Sequence, residues 1–172
     1  MLGITPFGAL HTVISLIALG AGLIALVRDK EISPRNLLGK IYVWGTVLTC
    51  ITGFFIFHHG GFGKPHVLGI ITLIVLGIAA VAGYTSLFGS ASRYVETVGY
   101  SLTVFFHFIP LITETSTRLP AGAPLLPNAD APQLQTATGV LFVLFLIGAT
   151  LQVLRLRSIG RATGAPSGSP AR

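Results

Sequence analysis

Five histidines, His11, His58, His59, His66 and His107, are the side chains of this 172-residue sequence whose type and spacing point most directly to chemistry. All five fall at one end of what reads as a set of apolar helices, where scattered histidines would divide between two ends. Imidazoles gathered at one level can ligate haem iron or a bare metal ion, or donate hydrogen bonds. Glu114, one carboxylate at the same end, lies seven residues after His107. The single cysteine, Cys50, excludes a disulfide framework or a multi-cysteine metal site.

The elements that carry these side chains follow from composition. The chain is 52% apolar and 9% charged, with a mean hydropathy of +0.81, whereas a soluble domain carries about a quarter charged residues. Lipid is the solvent such a chain requires. Five apolar segments approach the roughly 20 residues that cross about 30 Å of hydrocarbon: Phe7 to Val27, Leu37 to Phe57, Val67 to Phe88, Val95 to Ile112 and Thr136 to Leu154. None alternates as barrel strands do, so helices are the spanning form that satisfies the backbone. The expected fold is all-α, an integral membrane bundle of five transmembrane helices with a four-helix core and a peripheral fifth, the one without a histidine. Residues 1–158 form the transmembrane domain, with a long outer loop at 115–135, and 159–172 read as a flexible cytoplasmic tail.

Orientation comes from the basic residues. Arg28, Lys30, Arg35, Lys40, Arg93, Arg155, Arg157, Arg161 and Arg172 share one side, against Lys64 and Arg118 on the other. The positive-inside rule makes the first side cytoplasmic, with the N-terminus and the histidines outside and the C-terminus in the cytoplasm of a multi-pass inner-membrane protein. The first helix reads as a retained span rather than a signal peptide. The pI near 10.1 reflects this collar, which anionic lipid attracts, and calls for no nucleic acid.

Small and polar residues mark the faces along which membrane helices associate. They recur in the first helix at Gly8, His11, Ser15, Ala18, Gly22 and Ala25, and in the fourth at Glu96, Tyr100, Thr103, His107, Pro110 and Glu114. Gly45, Thr49, Thr52 and Gly53 share a face of the second helix that continues to His59, with His58 turned away. The third presents Gly69, Thr72, Ala79 and Gly83, with His66 one turn earlier. By helical rise, His11 and His107 both lie about 7 Å inside the outer ends of their helices, so they are expected at one level. Arg93 and Glu96 are expected to form a local ion pair, and Tyr42 and Trp44 to be interfacial anchors. The proline-rich 115–135 loop is expected to act as a lid over the mouth.

Three chemical readings compete. His11 and His107 can be the axial ligands of a haem b used for electron transfer. Alternatively His11, His59, His66 and His107, with Glu114, bind a transition-metal ion, Zn, Cu or Fe. In the third reading the imidazoles are structural, and the chain is a non-enzymatic membrane subunit or assembly factor, with lipid, a membrane protein partner or a second copy around it. No GxxxxGK[ST], GxGxxG, HExxH or GxSxG motif is present, and HHGGFGKPH matches no catalytic signature.

FGALHTVISLIALGAG followed by RNLLGKIYVWGTVLTCITGFFIF resembles small bacterial polytopic membrane proteins of unknown function, over roughly residues 7 to 88. A more distant likeness to cytochrome b561-type helical bundles rests on the intramembrane pair His11 and His107. That likeness implies haem ligation, here with room for one haem, because the histidines share one end.

The charge asymmetry predicts that a topology reporter fused after Arg157 is active in the cytoplasm and that one inserted near Ala129 is active outside. Reversed activities would place the histidines in the cytoplasm and remove the outward-facing site.

Overall fold

The computed structural model describes residues 5–56 and 61–164, and it holds five α-helices: α1 Pro6–Asp29, α2 Leu37–Gly53, α3 Lys64–Tyr84, α4 Ser92–Arg118 and α5 Pro132–Gly164. α1, α3, α4 and α5 are long and apolar enough to cross a membrane; α2 is an apolar helix of 17 residues. Local signals set the helix ends. Thr5 Oγ1 accepts from Gly8 N at 3.0 Å ahead of Pro6, and Asn36 Oδ1 accepts from Gly39 N at 2.8 Å. Both occupy one of the backbone donors that a helix start leaves without a partner. α1 stops at Lys30, which adopts a left-handed conformation (φ 65°) and turns the chain toward α2.

The packing follows the small-residue faces. α1 lies along α2 and α3 along α4; α2 meets α3, and α1 meets α4, which closes a four-helix core. α5 packs on α4 alone among the helices. Ala18, Gly22 and Ala25 of α1 and Thr72 and Ala79 of α3 are buried, as their stripes predict. α1 and α2 approach closely: a Cβ at Gly22 would come within 2.6 Å of the Tyr42 ring and one at Gly45 within 2.8 Å of Ala18 Cβ. Outside this core α1, α2, α3 and α5 carry exposed Leu, Ile, Val and Phe side chains.

Three expectations are corrected. α2 ends at Gly53, not Phe57: Phe54 N and Phe55 N turn to i−3 carbonyls, tightening the chain, and the Phe54 ring lies over Gly69 of α3. His58 and His59 lie outside the described residues. α4 runs through Pro110 to Arg118 instead of stopping at Ile112, because a proline removes one backbone bond while the rest of the helix stays paired. α5, at 33 residues, extends about 50 Å and keeps residues 159–164 helical, where a flexible tail was expected.

The tight α1–α2 contact makes one pair of variants informative. Gly22→Ala is expected to lower stability by about 1 to 3 kcal/mol, because the Tyr42 ring it strikes is fully buried and cannot retreat. Gly20→Ala, with nothing within 4 Å of its Cβ, should be neutral or slightly stabilising. Thermal unfolding in detergent compares the two.

Candidate functional site

Histidines of α1 and α4 meet threonines of α2 in the core. Thr46 Oγ1 donates to Tyr42 O at 2.8 Å and shares a bond with His107 Nε2 at 3.0 Å. A hydroxyl has one hydrogen, so Thr46 accepts from His107, whose proton therefore sits on Nε2. His107 Nδ1 is left as the acceptor, facing Ser15 Oγ of α1 at 3.5 Å. The same logic applies to His11. Its Nδ1 lies 2.8 Å from Thr52 Oγ1, which donates to Leu48 O at 2.7 Å, so Nδ1 carries the hydrogen and Nε2 keeps the lone pair. Each imidazole N–H thus ends on a threonine that passes its own hydrogen to an α2 carbonyl.

A third relay lies deeper. Tyr42 Oη donates to Thr103 Oγ1 at 2.6 Å, and Thr103 donates to Tyr100 O at 2.8 Å. Tyr42 is fully buried, which corrects its expected role as an interfacial anchor: Gly22 leaves a slot that accepts its ring. Trp44 is 66% exposed and remains on the surface. The hydroxyls of Thr49 and Tyr100 are buried and have no hydrogen-bond partner among the described residues.

The structure does not put the two imidazoles at one level. With α4 ending at Arg118, His107 lies eleven residues, or about 16 Å, inside its helix. His11 lies five residues inside α1, and their partners Thr52 and Thr46 are six residues apart on α2, about 9 Å along its axis. His66 is elsewhere: its Nδ1 accepts from Gly63 N at 3.1 Å, capping α3, and its ring stacks on Phe62 at 5.2 Å. Glu114 is half exposed and pairs with Arg118 one turn on. Among the described residues no three His, Cys, Asp or Glu side chains come together in a way that could hold a metal ion.

The opposite, arginine-rich end holds an ion network that spacing alone does not reveal. Glu96, its side chain 5% exposed, takes Arg35 Nη1 at 2.6 Å, with Arg93 farther away at 3.8 Å. The expected Arg93–Glu96 pair is therefore the weaker contact. Arg93 instead holds Glu31 at 2.7 Å. Arg35 reaches in from the α1–α2 turn, lies 5.4 Å over the Tyr84 ring and also donates to Gly83 O, so one guanidinium joins the turn, α3 and α4. At the histidine end, Lys64 holds Asp130 at 2.6 Å and lowers its carboxyl below the usual range. That depressed value means the tie is present above about pH 4 and lost as acid protonates Asp130.

Thr46 and Tyr42 extend the Gly45, Thr49, Thr52 stripe by one turn, so the helical period could have found them. Arg35 had no such signal, because its partner is 61 residues away.

Arg35→Ala is expected to destabilise the protein by about 2 to 4 kcal/mol, since it strands a buried carboxylate. Adding Glu96→Gln should recover at least half of that loss. Lys64→Ala, whose partner Asp130 is 75% exposed, should leave the unfolding midpoint unchanged at neutral pH. No protein-family model, curated protein or solved structure matches the chain, so its own fold and this network carry the functional reading.

Proposed function

We propose that this chain is a five-span inner-membrane protein, with its N-terminus outside and its C-terminus cytoplasmic, that serves as a non-enzymatic membrane subunit with structural histidines. The observation that carries this reading is that His11 and His107 both meet threonines of α2 whose own hydrogens already go to backbone carbonyls, so each imidazole is the donor. Those bonds fasten α1 and α4 to α2 in a medium with no water to take their place. The basic collar at the other end supports the orientation. The exposed apolar faces suit lipid and partner helices.

A second reading, haem or metal binding for redox chemistry or metal handling, has its own support in the lone pairs. His11 keeps Nε2 as an acceptor, and Ser15 stands as far as 3.5 Å from His107 Nδ1. These are the atoms through which a haem b or a Zn, Cu or Fe ion would be held. Haem would supply one-electron transfer, while the surrounding hydroxyls would fix the orientation of each ring.

Purified protein separates the two. The structural reading expects no Soret absorption and substoichiometric metal. It also expects His107→Gln, which keeps a donor for Thr46, to exceed His107→Leu in stability by about 1 kcal/mol. A Soret band or one metal per chain, lost in both His11→Ala and His107→Ala, would overturn it in favour of the second.

A further inference from the structure

α5 packs along α4, yet both of its ends are tied elsewhere. At the histidine end the Lys64–Asp130 pair links the segment just before α5 to the start of α3. At the arginine-rich end Gln152 Nε2 donates to Lys30 O and Arg155 Nη1 to Asp29 O, each at 2.9 Å, while Ser101 of α4 donates to Gln152 Oε1 at 2.9 Å. α5 therefore leans from the α3 side to the α1 side. It meets the end of α1 at its own basic end and shares no helix contact with α1 above that point.

The cations at this junction are not equivalent. Arg28 is paired with Asp29, Arg35 with Glu96, and Arg93 with Glu31. Lys30 and Arg155 meet at the same turn and have no carboxylate partner among the described residues: Lys30 Nζ donates to Val27 O at 2.7 Å, and Arg155 to the Asp29 carbonyl. Carbonyls leave most of an ammonium's or guanidinium's donors unused. The adjoining turns carry exposed apolar side chains, Ile24 and Val27 on α1 and Leu151 and Leu154 on α5. Two cations held only by carbonyls among the described residues, beside two apolar helix flanks, match the anionic headgroup and acyl chains of one phospholipid.

We propose that the junction of α1 and α5 binds an anionic phospholipid of the leaflet at the arginine-rich end, with its phosphate at Lys30 and Arg155 and a chain between the two helices. A lipid seated there bridges α5 to the core where protein contacts are absent. The proposal rests on the membrane reading above but not on the role of the histidines.

The test is thermal unfolding of the detergent-purified protein with added phosphatidylglycerol or phosphatidylcholine. Phosphatidylglycerol near a hundredfold over its dissociation constant should raise the midpoint by about 5 to 10 °C, and phosphatidylcholine should not. Lys30→Gln with Arg155→Gln should lose that increment and retain less phosphatidylglycerol in native mass spectrometry. Lys40→Gln with Arg157→Gln, the same charge change away from the junction, should keep both. Equal loss in the two double variants would mean attraction to the collar as a whole and overturn the site, as would equal stabilisation by both lipids. If Lys30→Gln with Arg155→Gln does not fold, Arg155→Gln alone is read by lipid retention, and unchanged retention overturns the proposal. A protein that stays in solution without detergent sinks the membrane reading as well; one that needs detergent but ignores lipid charge sinks only this site.

Discussion

The close approach of α1 and α2 at Gly22 and Gly45 sets what the rest of the core can be. With the Tyr42 ring seated on Gly22 and Ala18 against Gly45, α2 comes near enough for its threonines to meet imidazoles from two other helices. Thr46 and Thr52 each send their hydrogen to a carbonyl one turn back, as threonines in apolar helices do, and so offer their neighbours only lone pairs. A group that reaches Thr46 or Thr52 must therefore be a donor. Neutral imidazole supplies one N–H, and with no water at hand an unmade bond of this kind costs about 1 to 3 kcal/mol. Histidine fits these positions for that reason before any ligand is considered.

α4 is arranged around the complementary difficulty. It is the least apolar of the four long helices, at a mean hydropathy of 1.4 against 2.2 to 2.5 for the others, and it is also the most enclosed. Glu96, Thr103 and His107 need partners that lipid does not provide, and α2 and the α1–α2 turn supply them while α1, α3 and α5 enclose the helix. The carboxylate sets the hardest condition. Gly83 leaves room for it, and the cation that reaches it most closely among the described residues comes from the α1–α2 turn. Arg35 consequently fixes that turn against α3 and α4, while Lys30 and Arg155 have no carboxylate partner among the described residues.

Much of this was legible in the sequence because a bilayer turns composition into geometry. The stripes on α1 and α3 predicted Ala18, Gly22, Ala25, Thr72 and Ala79 as inward, and the four polar residues of α4 from Glu96 to His107 are buried together. What escaped was longitudinal. Helix ends depend on caps and local turns, so the early end of α2 and the six extra residues of α4 moved His107 deeper than hydropathy placed it. Glu114, on the same stripe, was carried out to the exposed end, where Arg118 meets it. Side-chain pairings between distant segments, such as Arg35 with Glu96 or Ser101 with Gln152, leave no periodic trace and emerge only once the helices are packed.

The depth difference also separates the ligand chemistries that one cluster of histidines would otherwise merge. An axial pair must face one iron across one plane, and here α2 orients the two rings through hydroxyls about 9 Å apart along its axis. Haem ligation by both would have to turn His107 or slide α4, at the expense of the Thr46 bond or of the Tyr42 to Thr103 contact beside it. An ion taken at His11 Nε2 alone would disturb neither, because that nitrogen lies opposite the Thr52 bond. Loss of the Thr46–His107 bond thus belongs to haem binding and its retention to an ion at the mouth. The imidazole that a ligand can reach with least rearrangement is His11, while His107 holds the core.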